Sequence, residues 1–316
     1  MRHALASALQ AEGKEAVAAL KTIDPAHLAE RYAPTHRCML ERLGARKAPA
    51  PEVADPVVAA VLVAYREYWL RSLRGEGPLP DNEKWLLARL NGVVHKDGKT
   101  AASMDELEPA LNALIGAHGY HGLLGVTSPL RELMLWKTET EQRYDVALPE
   151  STQSVIVVFM DGFASLGWAG FATCDRHHSG GWTKPDRLYA VRSAYDLDSE
   201  DFRVSYLAHE GQHFSDNGRF PWLDKQEELE YRAKLVELAV GRSSVYELLE
   251  AFAGNVGTDA SVPHSYANGR VVQDMGRRLF PGATPTPPWH DAGVERINAA
   301  AADLLREETA RLQKQR

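Results

Sequence analysis

Leu207-Ala208-His209-Glu210-Gly211-Gln212-His213-Phe214 contains two histidines four residues apart, with a glutamate directly after the first. Four residues are slightly more than one α-helical turn. His209 and His213 therefore stand above one another on nearly the same face and can aim two imidazole nitrogens at one metal ion. Glu210 is turned about 100° from His209. It lies beside such an ion and not on it, where its carboxylate can take a proton from a metal-bound water. Zinc suits this set, because it accepts imidazole and carboxylate ligands and keeps one position open in catalytic sites.

The flanking residues support a helix. Asp198-Ser199-Glu200-Asp201 supplies a cap and first-turn acids. Val204, Leu207, Gly211 and Phe214 form one apolar stripe and leave the histidines on a separate face. Gly211 in mid-helix costs up to about 1 kcal/mol relative to Ala, a choice that makes sense where another backbone approaches closely.

A chain of 316 residues can bury a large core as one domain or two. The net charge of −7, with no dense Lys/Arg run, argues against nucleic acid as a partner. No apolar run approaches the roughly 20 residues of a membrane span, and the first residues lack the apolar segment of a secretion signal. The expected compartment is cytoplasmic by default, and periplasmic or secreted if a leader has been removed. Cys38 and Cys174 have neither disulfide-framework nor zinc-thiolate spacing and read as small buried hydrophobes.

Outward from the motif, the pattern predicts an α+β fold in which helix predominates. Residues 1–143 read as a helical N-terminal region, and 144–316 as a second region holding the motif. Leu5, Leu9, Val17 and Leu20 suggest a first amphipathic helix, and Asp24-Pro25 a capped start. Lys47 to Pro51 is a linker. Val57 to Leu73 carries an apolar spine of Val58, Leu62, Tyr65, Trp69 and Leu73. Asp81 can cap a helix bearing Trp85, Leu86 and Leu90. Ser103-x-x-Glu106 is a capping box, and Ser128-Pro129 opens a further helix with Leu130, Leu133, Met134 and Trp136. Strands are expected at Tyr144–Leu148, Val155–Met160, Leu166–Cys174 and Arg187–Arg192, with His177-His178 in a solvated loop. After the motif, Asp216-Asn217-Gly218 reads as a helix stop. Helices follow over Asp224–Val240, after Ser244-x-x-Glu247, over Tyr266–Leu279 and from Asp291 onward, with Pro281 to Pro288 as a rigid connector.

Two histidines need a third protein ligand in a catalytic zinc site. No His-x-x-Gly-x-x-His follows His213. The next helix instead carries Glu227, Glu230 and Glu237 on one face, and each is a candidate. Over about residues 155–240 the chain resembles the gluzincin metallopeptidases, in which the His-Glu-x-x-His helix is followed by a ligand helix that several members write Glu-x-x-Ala-Asp. Glu230-Tyr231-Arg232-Ala233-Lys234 matches its Glu and Ala. The resemblance implies zinc held by His209, His213 and Glu230, with Glu210 as catalytic base. It also implies a zincin-like core, a small mixed sheet packed on the motif helix, with an edge strand at 166–174 or 187–192. Lys234 departs from the Asp that supports a zinc-binding histidine in those relatives, so Asp216, Asp224 or Asp274 is expected to take that role.

The expected activity is hydrolysis of peptide bonds by Glu-assisted attack of a metal-bound water, on a peptide or protein substrate. His264, Tyr266 and His290 are candidates to stabilise the oxyanion, and Arg270 to bind a substrate carboxylate. The alternatives are a zinc hydrolase of non-peptide amides, or a helical binding protein whose metal site is structural or vestigial.

Overall fold

The computed structural model describes residues 1–95, 100–282 and 287–315. Six helices come first: α1 (Arg2–Leu9), α2 (Gly13–Lys21), α3 (Ala33–Gly44), α4 (Pro56–Leu73), α5 (Leu79–Val94) and α6 (Met104–Ala117). Then come β1 (His121–Thr127), β2 (Leu130–Trp136), β3 (Thr138–Ala147), β4 (Thr152–Asp161), β5 (Ser165–Leu166), α7 (Gly167–Thr173), β6 (Gly181–Thr183) and β7 (Leu188–Val191). A π-helical segment, Phe202–Ala208, leads into α8 (His209–Arg219). The chain ends with α9 (Gln226–Val240), α10 (Val245–Gly254), α11 (Pro263–Leu279) and α12 (Val294–Gln313). The class is α+β with helix predominant. None of these helices is long and apolar enough to cross a membrane. Residues 283–286 of the expected Pro-rich connector lie outside the described residues.

The chain forms two compact units, Met1–Glu139 with Met160–Ser179, and Thr140–Phe159 with Gly180–Arg316. In the first, the predicted spine of α4 is buried throughout, each such side chain contributing about 1.5–3 kcal/mol. Asp55 caps α4 by accepting from the N–H groups of Val57 and Val58 at 2.9 and 3.0 Å. Ser103 accepts from Glu106 N–H at 3.2 Å, while the Glu106 carboxylate reaches back to Ala102 N–H at 2.8 Å.

Several expectations for this unit are corrected. The first helix is two, α1 and α2, separated by a turn in which Ala11 has φ 60°. The helix expected after Ser128-Pro129 is strand β2, hairpinned to β1 with Thr127 opposite Leu130 and His121 opposite Trp136. Leu133, Met134 and Leu135 are all buried. A strand covered on both faces loses its alternation, and its apolar spacing then mimics a helix.

Residues 167–173 form helix α7, not a strand. Gly167 has φ 84°, and a Cβ there would lie 2.3 Å from the buried Glu132 carboxylate. That carboxylate accepts from Trp168 N–H at 3.0 Å, at the start of the helix. Cys38 and Cys174 are not separate thiols. They form a disulfide across 136 residues, joining α3 to the end of α7.

In the second unit the strand order is β3-β4-β7-β6, which makes β6 an edge strand and β7 an interior one. The edge expected at 187–192 is therefore one strand further out. Helix α9 packs on α8, α11 and α12, and every residue from Leu229 to Leu238 is buried, including Glu230, Arg232, Lys234 and Glu237. Buried charges of this kind require partners, and those partners build the site.

The predicted helix start is also observed: Ser199 Oγ accepts from Phe202 N–H at 3.0 Å. Glu200 instead reaches the turn before α10. Partial burial opposes its charge, but the Ser243 and Ser244 hydroxyls and the N–H groups of Arg242 and Ser243 outweigh that and hold its carboxyl at about 2, below the ordinary 4.5. A lowered folded-state value means stability that is complete above pH 4.5 and lost as the pH falls towards 2. Glu200→Gln is expected to lower the melting temperature at pH 7, with the gap to the unaltered protein closing by pH 2–3. A gap independent of pH would contradict this.

Candidate metal centre

Helix α8 presents the histidine pair and α9 the carboxylates. His209 and His213 point their Nε2 atoms at one another, 3.1 Å apart. Glu230, one α9 turn from Lys234, brings Oε1 to 3.3 Å from His213 Nε2 and Oε2 to 3.6 Å from His209 Nε2. These three residues form the group able to hold a metal ion among the described residues, their ligand atoms all lying within 4.8 Å of one another. Side-chain exposure is 10–13 % for all three.

The fit to zinc can be tested on this geometry. Tetrahedral bonds of roughly 2.0–2.1 Å require ligand atoms about 3.3 Å apart; the two imidazole nitrogens are 3.1 Å apart, and each has a different oxygen of Glu230 beside it, at 3.3 Å for His213 and 3.6 Å for His209. Two imidazole nitrogens facing each other at 3.1 Å need a proton or a cation to offset their lone pairs. Glu230 Oε2 is buried without a well-directed hydrogen bond, although His264 Nδ1 is 2.8 Å away. An acceptor stranded beside two imidazoles suits a cation.

Glu237 sits two turns along α9 from Glu230. Its Oε1 is 2.7 Å from His209 Nδ1. This carboxylate accepts from His209 Nδ1–H, so that a cation held in the group would meet the lone pair of Nε2. The supporting role expected of Asp216, Asp224 or Asp274 thus belongs to a residue weighed only as a ligand. Asp216 is committed to Arg232, Asp274 accepts from Tyr231 at 2.7 Å and pairs with Arg277, and Asp224 is exposed. Burial opposes a charge on His209, yet the Glu237 and Glu230 carboxylates push it up to about 10. Burial also opposes the charge of Glu230, but the imidazoles of His209, His213 and His264 hold its carboxyl well below the carboxylate range. The pocket is an anionic one that draws positive charge.

Glu210 follows His209 on α8 and is half-buried. Its Oε2 accepts from the Thr183 hydroxyl on β6. The phenols of half-buried Tyr195 and buried Tyr206 lie within the field of Glu210: loss of solvent first, then its negative charge, pushes both above the ordinary tyrosine range. Thr183 and the two tyrosines carry no motif that sequence reasoning could have used. They reach the site only through strand pairing and the π-helical turn.

Lys234 is buried, with its ammonium 3.9 Å from Glu230 Oε2 and 4.7 Å from the centre of the Phe252 ring. Glu230 and Lys234, four residues apart on α9, thus form an interior pair. Gly211 does not admit a neighbouring backbone: a Cβ there would meet the side chains of Val146 and Leu148 at ordinary contact distances.

The other candidates are dispersed. His264, exposed at the start of α11, touches Glu230. Tyr266 lines a cleft with Arg270 and Gln273, to which none of the three ligands contributes. Arg270 is held by Glu228 and Glu308 at 2.9 and 2.7 Å and lies over Tyr231. His290 stacks on Tyr246. Glu227 is half-buried in the first turn of α9 and is not in the ligand group. Compared with protein-family models, characterised proteins and solved structures, the chain matches none.

Proposed function

We propose that this protein is a zinc-dependent hydrolase of peptide bonds. One observation supports the reading: two imidazole nitrogens and a carboxylate converge within 4.8 Å of one another, and the residue after His209 on the same helix is a glutamate outside the ligand group. His209, His213 and Glu230 would hold the ion. Bound there, zinc supplies Lewis-acid polarisation of a carbonyl and lowers the pKa of a water from about 15.7 towards 7. Glu210 receives the proton of the attacking water and returns it to the leaving amine. Glu237 keeps His209 in the tautomer and orientation that ligation needs. His264, exposed beside Glu230, is the proposed donor to the oxyanion.

Disulfides persist in oxidising compartments and are rare in the cytosol. Cys38–Cys174 therefore favours a periplasmic or secreted setting over the cytoplasmic default.

A competing reading has its own observation. The Lys234 ammonium and the His264 ring already lie against Glu230, at 3.9 and 2.8 Å, as a helical binding protein with a vestigial site would require. Elemental analysis separates the two. Stoichiometric zinc and cleavage within a peptide library are expected, while a folded protein with no metal and no cleavage refutes the hydrolase. Zinc with cleavage of non-peptide amides only would replace the substrate class. Glu230→Ala should weaken zinc binding by more than the roughly 10–100-fold that loss of an outer partner costs. Glu227→Ala should leave it unchanged, and equal effects would misplace the third ligand.

A further inference from the structure

We infer that Thr183 is a positioning residue that holds the carboxylate of Glu210 for catalysis, an inference that rests on the hydrolase reading. The edge strand β6 delivers it. Successive side chains of a strand alternate faces, so Gly181 and Thr183 point the same way. Gly181 faces the helix at Tyr206: a Cβ there would lie 2.7 Å from the Tyr206 ring and 2.4 Å from the carbonyl oxygen of Tyr189. The strand position two residues after Gly181 meets the helix position four residues after Tyr206. Those positions are Thr183 and Glu210, and their side chains are hydrogen-bonded.

The adjacent glycines are what permit this approach. A Cβ on Gly180 would lie 2.7 Å from the Tyr195 hydroxyl. Tyr195 and Tyr206 pack ring against ring, with centroids 4.8 Å apart. Without side chains at 180 and 181, β6 lies directly on this aromatic pair, which sets the depth of Thr183. The Tyr206 hydroxyl is buried with no hydrogen-bond partner, so among these three hydroxyl side chains the strand's threonine makes the bond to Glu210. Thr183 thereby anchors Oε2 of the glutamate that directly follows His209.

The test uses the full-length, zinc-loaded protein with Thr183→Val, Thr183→Ser and Gly181→Ala. Thr183→Val keeps the shape and removes the donor. It should keep zinc content, melting temperature and KM, and lower kcat about 10- to 100-fold. Thr183→Ser should restore kcat to within a few-fold. Gly181→Ala, which forces the strand off the tyrosines, should lower kcat as Thr183→Val does. A second readout needs no turnover: the side-chain carboxyl 13C resonance of Glu210, assigned by its loss in Glu210→Gln. It should move in Thr183→Val and return in Thr183→Ser. An unmoved resonance, or an unchanged kcat in Thr183→Val, overturns the inference. If the unaltered protein hydrolyses nothing, the hydrolase reading fails separately and the catalytic role of Thr183 with it, whatever the resonance does.

Discussion

Glu210→Gln is expected to bind zinc as the unaltered protein does and to cleave peptides about 10²- to 10⁴-fold more slowly. The substitution conserves shape. The amide oxygen can still accept from the Thr183 hydroxyl, so the side chain stays where the carboxylate was. What it loses is basicity, because an amide takes no proton at neutral pH. Glu210 is not in the ligand group, so metal content should stay at one ion per chain. The loss should fall on kcat more than on KM, since proton transfer is made in the transition state and not on substrate binding. Steady-state kinetics beside elemental analysis decides it. Unchanged turnover in a zinc-replete variant removes Glu210 from the chemistry, and loss of zinc would recast it as part of the metal shell.

Asp216→Ala is expected to destabilise the protein by about 3–5 kcal/mol, as breaking one side of a buried ion pair does. Asp216 and Arg232 are both fully buried. The guanidinium donates to both carboxylate oxygens, at 2.7 and 2.9 Å, with Gln212 adding a third bond at 2.9 Å. Thr309 accepts from the remaining side of Arg232 at 3.1 Å. Removing Asp216 leaves the fully buried guanidinium with the more distant Glu150 carboxylate, 3.9 Å away, in an interior that solvates its charge poorly. Replacing both partners, Asp216→Ala with Arg232→Met, should recover much of the loss, because no charge is then left behind. Urea denaturation of the two variants measures the difference. The clamp also joins α8 to α9, so the single variant should bind zinc more weakly through a loosened pair of helices. A single variant as stable as the parent would show that the clamp is not what holds them.

The two helices of the site differ in how far they could be read in advance. The histidine pair is visible because ligand spacing on one helix is a local property: residues four apart share a face in any helix. The acidic face of α9 is equally local: it offered Glu227, Glu230 and Glu237 together, and only the resemblance to gluzincins singled out Glu230. The division of roles between them depends on how far each position lies from α8, and only helix packing sets it. Glu230 approaches the Nε2 atoms and Glu237 meets Nδ1 of His209.

The misread segments share a cause. At Leu130–Trp136, burial on both faces erased the period of two. At Gly167–Thr173, where a strand was expected, Gly167 makes room for the buried Glu132 carboxylate at the start of a helix. The disulfide joins residues 136 apart, a distance over which sequence spacing carries no information.

The helix-rich class, the apolar spine of α4, the His-Glu-x-x-His face and the short set of acids that could complete it were legible in the chain alone. All of these follow from interactions within a turn or two of chain. Only the tertiary structure decided that Glu230 faces both histidines, that Glu237 supports one of them, that Asp216 is a clamp and that Thr183 reaches Glu210. Each of those pairings spans 16 or more residues, and such partners are chosen by packing and the need to pair buried charge, which no local pattern encodes.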